Sequence, residues 1–341
     1  MPYSSEKKLA TQLPETQDTQ PARTSGLLAW DIMRRMYIVR TKRFRSEEAV
    51  IAKLPETSLE RLSAANSKST VLYLAYGSNL SAETFKGNRG IKPLSAINVH
   101  VPALDLTFDL AGIPYNEPCF ANTRYRPTSG EHTQEIGWHK GLVGVVYEVT
   151  LEDYRTIIAT EGGGASYKDI KVDCYILPGN TAVPSQPVGT PFKAHTLFCP
   201  RGGEKLFRPD QEYAQASVRY LNLITDGAEE HDLPAEYMAY LYSLQPYTIT
   251  STRQTIGKGI FTTIWMPVIL ALFGLGKQLA DEDGKVPTWL ARCYAILFLI
   301  MWTCYDAIFK PVFGDGERTV EKEGDMEIDS KSNYHKCGRR C

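Results

Sequence analysis

Between Lys258 and Lys277 run 18 residues without a charge, "GIFTTIWMPVILALFGLG", and a second apolar stretch, "WLARCYAILFLIMWTCYDAIF", follows after the polar loop "KQLADEDGKVPT". A helix that is apolar on every side must be covered on every side, by protein or by lipid, and about 20 such residues cross a bilayer. Tryptophan at the edges suits the headgroup interface. Pro267 falls inside the first stretch, and Arg292 and Asp306 stand near the ends of the second, within reach of the headgroups. The pattern predicts a membrane hairpin through residues 259–275 and 289–309, against the alternative of two buried helices. A hairpin returns the chain to the side it left, so the domain before it and the polar tail 314–341 share one side.

That side is expected to be the cytosol. The first 25 residues are polar and Pro-bearing with no apolar core of the signal-peptide kind, and the seven cysteines are an odd number without CxxC spacing. Reduced thiols are implied, with Cys119, Cys174 and Cys199 read as ordinary small buried residues. No His pair stands at zinc-ligand spacing, so no metal is expected. The basic "KCGRRC" terminus does not fit a prenylation box. Residues 1–68 form an N-terminal extension, disordered at its start. It carries "LLAWDIMRRMYIVRTKRFR", taken as a surface helix in preference to one lying on an anionic membrane. A net charge of -1 supplies no basic field, which argues against a nucleic-acid partner.

The 341 residues, 43% hydrophobic, suffice for one well-buried domain with appendages, and that domain is placed at 69–250. Strand-like runs cover Val71 to Ala75, Ala103 to Leu110, Leu142 to Val149, Ile170 to Leu177 and Lys193 to Phe198. The polar segment "GIPYNEPCFANTRYRPTSGEHTQEIGWHK", with His132 and His139, is expected to be a loop facing substrate or solvent. Near the end, Ser217 caps a short helix that Gly227 ends, and Asp232 opens a second. Strands dominate, so the class is α+β.

Two places carry chemistry. In "VLYLAYGSNL" an apolar strand runs into a Gly-Ser-Asn turn, where successive backbone N–H groups make a nest for a carboxylate or phosphate. In "GVVYEVTLEDYRTIIATEGGGASY" a strand runs into a helix capped by Thr150 with Asp153 three residues on, whose inner face is Leu151, Tyr154, Ile157 and Ile158. Glu161 falls at the C-terminal edge, before Gly162, Gly163 and Gly164 stop the helix. The negative end of a helix dipole and burial both disfavour a charged carboxylate, the setting of a general acid/base. By position alone Glu161 is either that or a solvated residue before a glycine loop.

Taken in order, "YLAYGSNL", "GVVYEV", a helix ending in Glu-Gly with a tyrosine soon after, and "RYLNLITDGAEEHDLPAEY" resemble the γ-glutamylcyclotransferase family. The run "LTFDLAGIPYNEPCFANT" is similar to fungal members of gliotoxin-type epipolythiodioxopiperazine biosynthesis. The resemblance covers residues 69–244. It implies a small closed β-barrel with flanking helices, to which the apolar helical hairpin is added. It further implies cleavage of a glutathione-derived γ-glutamyl amide or peptide, which in the gliotoxin-type setting would be a glutathione conjugate, to 5-oxoproline and an amine, without metal or organic cofactor. The γ-glutamyl head would lie along Tyr73, Leu74, Ala75, Tyr76, Gly77, Ser78 and Asn79. Glu161 would move the protons, Tyr167 would wall the site, and Tyr220 would lie near the substrate. The triple glycine departs from the family pattern.

Two rival readings stand beside this one. A non-catalytic anion-binding module would have no use for Glu161. A phosphate binder would want a Lys-Ser/Thr partner after "SNL", which is missing.

Overall fold

The run "LVGVVYEVT" is apolar on both faces, as befits a strand with neighbours on both sides and both surfaces covered. It forms β5 (Leu142–Thr150), buried almost throughout. With β1 (Thr70–Ala75), β2 (Ser95–Val101), β6 (Lys168–Ile176) and β7 (Phe192–Phe198) it closes a five-stranded barrel in the order β1-β5-β2-β6-β7. Closure is made by β1 and β7, which lie parallel and meet at Tyr73 and His195. A separate antiparallel hairpin, β3 (Leu104–Ile113) and β4 (Glu117–Tyr125), shifts register between Thr107 and Leu110. The computed structural model describes residues 54–64, 69–126, 138–161, 167–177, 182–200, 208–210, 212–282 and 284–320. The expected disordered start, the basic helix, His132, Gly162 to Gly164 and the "KCGRRC" terminus lie outside them.

The sequence pattern misses β2 and β4, because each carries polar residues that look solvated and are not. Asn122 and Thr123 of β4 are fully buried. Asn122 Nδ2 donates to Asp109 Oδ1 at 3.0 Å and to the Cys199 carbonyl at 3.1 Å, and its Oδ1 accepts from the Cys199 N–H at 3.0 Å. In β2, Asn98 donates to the His231 carbonyl at 2.7 Å. A buried amide with its partners in place, as Asn122 is, costs little. Within the segment expected as a polar loop, Glu117–Tyr125 is therefore the second strand of a hairpin, while residues 127–137 lie outside the described residues. Cys119, Cys174 and Cys199 are buried free thiols, as read from the sequence.

The short helix α1 (Leu59–Ser63) precedes the barrel. Helix α2 (Leu151–Thr160) begins as expected, with Thr150 Oγ1 accepting from the Asp153 N–H at 3.0 Å. Its inner face is Tyr154 and Ile157; Leu151, assigned to that face, is 40% exposed. Helix α3 (Val218–Glu230) is capped by Ser217 but runs through Gly227, which does not end it. A Cβ on Gly227 would stand 2.3 Å from the Leu80 carbonyl carbon and the Ser81 nitrogen, so glycine there allows backbone contact. Asp232, at φ 51, belongs to the turn, and Pro234 caps α4 (Ala235–Ser243).

The apolar stretches form α5 (Thr252–Leu279), opened by a Ser251/Gln254 capping box and containing Pro267, and α6 (Thr288–Cys304). A π turn, Tyr305–Phe309, and α7 (Lys310–Phe313) continue the second arm. Both arms are long and apolar enough to cross a membrane by length and composition. They also have protein to pack on, which the sequence did not anticipate. Phe261, Ile269, Leu297, Met301, Trp302, Tyr305 and Phe309 make a second core with Ala111 and Tyr115 of the β3–β4 hairpin. At the hairpin tip, a Cβ on Gly284 (φ +77) would stand 2.3 Å from the Arg155 carbonyl oxygen on α2. After α7 the chain turns back into the domain: the Tyr115 N–H donates to the Gly316 carbonyl and the Gln215 N–H to the Glu317 carbonyl, each at 2.8 Å.

Candidate active site

Strand β1 ends at Ala75, and Tyr76 and Gly77 lead into a single 3₁₀ turn, Ser78–Leu80, in which the Leu80 N–H donates to the Gly77 carbonyl at 3.0 Å. Helix α3 presses on this turn through Gly227, and Gly77 faces β4, where a Cβ would meet Ala121 Cβ at 3.2 Å. The turn is thus clamped between α3 and the β3–β4 hairpin. It forms one wall of a small chamber of about 30 Å³ lined by Tyr73, Tyr76, Gly77, Ser78, Asn79, Glu161, Tyr167 and Tyr220, with Ala121 and Leu197. All the sequence-predicted residues meet there except Leu74 and Ala75, which are buried in the barrel; the Leu74 carbonyl accepts from Thr196 Oγ1 at 3.0 Å.

Glu161 is the residue at the C-terminus of α2, with its N–H bonded back to the Ile157 and Ile158 carbonyls. Asn79 Nδ2 donates to Glu161 Oε1 at 3.0 Å and to the Tyr73 hydroxyl at 2.8 Å. A carboxylate accepts only, so the amide must present its nitrogen to Glu161 and its oxygen elsewhere. That oxygen is buried without a partner among the described residues. Arg89 donates to Glu161 Oε1 at 2.5 Å and also to Thr160 Oγ1. The sequence reading surrounded Glu161 with a helix end and an apolar wall; the structure adds an amide and a guanidinium.

The tyrosines are held by the backbone. Tyr76 donates to the Leu197 carbonyl at 2.7 Å and Tyr167 to the Ala121 carbonyl at 3.1 Å, while the Ala121 N–H donates to the Tyr220 hydroxyl at 3.2 Å. Burial first, with the charge of Glu161 adding to it, pushes all four phenols, Tyr73, Tyr76, Tyr167 and Tyr220, well above the ordinary tyrosine value. They stay neutral at any physiological pH. Glu161 is the one carboxylate among the described residues that line the chamber.

The chamber opens into a larger pocket of about 310 Å³ that shares Ser78, Glu161, Tyr167 and Tyr220 with it and is bounded by Arg89 and by apolar residues of β3, β4, α3 and the apolar hairpin.

The chain is 32% identical to the γ-glutamyl cyclotransferase gliK of Aspergillus fumigatus over 255 residues, 72% of this chain and 89% of that one. It is 34% identical to the γ-glutamyl cyclotransferase aclK of Aspergillus oryzae over 260 residues, 72% and 90% of the two chains. The chain belongs to the γ-glutamyl cyclotransferase family of enzymes. Residues 251–312 match the family model of the AclK C-terminal domain, so the apolar hairpin is a recognised unit of its own. A solved γ-glutamyl cyclotransferase structure superposes with a TM-score of 0.39 at 19% identity, covering 54% of this chain and 92% of that one. A yeast cyclotransferase specific to glutathione gives 0.37 at 13% identity, with 52% and 95% covered.

In this cyclotransferase, Arg89 is the site residue that sequence reasoning missed. It follows the π turn Glu83–Asn88 in "KGNRGI", between Gly87 and Gly90, and nothing in that text marks a partner 72 residues downstream. Ala121 was missed for a different reason. Its contribution is the backbone of a strand the pattern did not reveal.

Proposed function

We propose that this cyclotransferase closes the α-amine of a γ-glutamyl substrate onto its own γ-carbonyl, releasing 5-oxoproline and an amine, with Glu161 as the general acid/base. The new bond joins the α-nitrogen to the γ-carbon, and the bond from the γ-carbon to the departing nitrogen breaks. No water is consumed. Glu161 takes a proton from the α-ammonium and returns it to the leaving nitrogen. The second proton, shed by the new ring nitrogen as the lactam forms, passes to solvent or to the released amine, so the protein's tasks are orientation and proton transfer. The 78–80 turn receives the α-carboxylate, for which the small chamber has room, and Ser78 and Gly77 offer backbone N–H groups toward the developing oxyanion. Neutral Tyr73 and Tyr220 line the head group without competing for its protons. The observation that carries this reading is the convergence on one chamber of the Gly-Ser-Asn turn and a single carboxylate held by Asn79 and Arg89.

The test is 5-oxoproline release by the full chain from glutathione, γ-glutamyl amino acids and a glutathione S-conjugate. Glu161→Gln should lower turnover by about 10³-fold with the fold retained. A folded wild-type protein that releases none from any of them returns the chain to a binding module. By analogy with the fungal relatives, the substrate is a glutathione conjugate of a secondary metabolite, and the best of these compounds identifies it.

The protein is also proposed to be membrane-associated, with the catalytic domain on the cytosolic side. On α5 the exposed side chains Ile256, Ile260, Ile264 and Val268 recur every fourth residue, and Ile296 and Ile300 do the same on α6. A continuous apolar stripe of that kind calls for an apolar cover. Phe261 and Phe273 of α5, and Gly284 at the hairpin tip, meet the domain, so the stripe faces lipid while the opposite side faces protein. Flotation with phospholipid vesicles should be lost on the double change Ile260→Glu and Ile264→Glu. A wild-type chain that stays at the bottom of the gradient overturns the assignment.

A further inference from the structure

We infer that the apolar hairpin α5–α6 is the wall of the leaving-group subsite, and that Phe273, Tyr294 and Phe298 set specificity there for amines bearing an aromatic or other bulky apolar substituent. The inference rests on the cyclotransferase reading of the site and adds to it which part of the chain chooses the substrate.

The two cavities divide the substrate between them. If the α-carboxylate occupies the chamber of about 30 Å³ and the γ-carbonyl lies against Glu161, everything beyond the scissile nitrogen has only the pocket of about 310 Å³ to enter. Its far side is formed by Leu110, Phe120 and Leu223 of the catalytic domain together with Phe273, Tyr294 and Phe298 of the hairpin. Phe273 and Tyr294 stack with centroids 4.8 Å apart and planes at 17°, so each ring fixes the other in the wall. That wall is built and held. The Tyr294 hydroxyl donates to the Leu272 carbonyl at 3.1 Å, and the ring fits only because residue 276 is glycine: a Cβ there would stand 2.0 Å from the hydroxyl oxygen.

The polar inventory of the pocket points the same way. Among the described residues that line it Glu161 is the one carboxylate, and its two arginines each hold one already, Arg89 with Glu161 at 2.5 Å and Arg219 through Nε with Glu117 at 2.6 Å. The polar Thr84, Asn88 and Thr160 lie with Arg89 and Glu161 rather than on the hairpin. A small zwitterionic amino acid leaving through this pocket would lose water and gain little, whereas an apolar ring gains contact on several sides. The residues that do the chemistry sit on the barrel side and those that meet the leaving group sit on the hairpin, so the two functions are separable by mutation.

The experiment measures kcat/KM of the full chain for γ-glutamylanilide and γ-glutamylglycine, and the Kd of γ-glutamylanilide by calorimetry in the Glu161→Gln background, where it is not turned over. Phe298→Ala should lower the anilide-to-glycine ratio of kcat/KM about tenfold, mainly through KM, and weaken anilide binding to Glu161→Gln by a similar factor. Phe298→Trp keeps an aromatic side chain and narrows the pocket, and it should lower the same ratio. A ratio that stays constant in both variants while 5-oxoproline is still formed overturns the wall and leaves the reaction standing. Anilide binding that weakens on change at Phe298, in a protein forming no 5-oxoproline from either compound, does the reverse.

Discussion

Arg89 donates to the Glu161 carboxylate at 2.5 Å and bonds the neighbouring Thr160 hydroxyl, so one guanidinium grips the last turn of α2 at two consecutive residues. A carboxylate at a helix end is poorly placed for regular backbone support, and this side chain supplies the missing restraint. Arg89 acts through Glu161: it fixes where the carboxylate points.

With Glu161 as the proposed acid/base, replacing Arg89 by Gln should lower kcat by about 10- to 100-fold with a smaller change in KM, because orientation of the carboxylate is lost more than substrate contact. Arg89→Lys should recover only part, since an ammonium cannot reach Thr160 and Glu161 in the same planar fork. Steady-state kinetics beside an unchanged far-ultraviolet spectrum check this. A large rise in KM at constant kcat would instead make Arg89 a substrate ligand.

Gly227→Ala places a methyl group 2.3 Å from the Leu80 backbone and should force α3 off the 78–80 turn, at a cost of about 2–3 kcal/mol. Gly259→Ala, on the exposed side of α5 with nothing within 4 Å, should stabilise by about 0.5–1 kcal/mol through helix propensity. Urea midpoints of the two variants are expected to move in opposite directions, and the first should also lose activity because the turn is part of the site.

Alkaline pH should weaken the fold before it abolishes the chemistry. Tyr73, Tyr147, Tyr167 and Tyr220 are held by burial above the ordinary value of 10.0. In the unfolded chain these phenols lose their protons near pH 10, while the folded chain keeps them. Above that pH the unfolded state binds fewer protons, so stability is fully present below about pH 10 and falls as pH rises through the folded values. Denaturation midpoints across this range, with tyrosinate absorbance recorded in parallel, should show the loss of stability and the release of protons together.

Glu317 is 1% exposed and bonds Arg208 Nε at 2.8 Å, and Arg208 in turn reaches Asp306 and lies over Trp302 at 4.1 Å. This network ties the returning chain to the second arm of the hairpin. Glu317→Ala leaves a guanidinium that is only 13% exposed short of one of its partners and should cost about 3 kcal/mol. Glu317→Gln should cost less, because it keeps an acceptor oxygen. Thermal unfolding of the two variants checks the order.

The sequence by itself determined what local chemistry dictates. The all-apolar run of β5, the Thr150 and Ser217 caps, the Gly-Ser-Asn turn and the end of a helix at Glu161 were all legible, because each depends on residues within a few positions of one another. The tertiary structure decided what depends on distant partners. Asn122 is a buried strand residue because Asp109 and Cys199 satisfy it, and Gly227 lies within a helix because Leu80 crosses it. Arg89 belongs to the site because folding brings it to Glu161. The apolar hairpin shows the same division: its length and composition were plain in the text, but its inner side packs on Ala111 and Tyr115 of the β3–β4 hairpin and lines a pocket with Leu110 and Phe120. Hydrophobicity states that a surface must be covered, and only the folded chain supplies the cover.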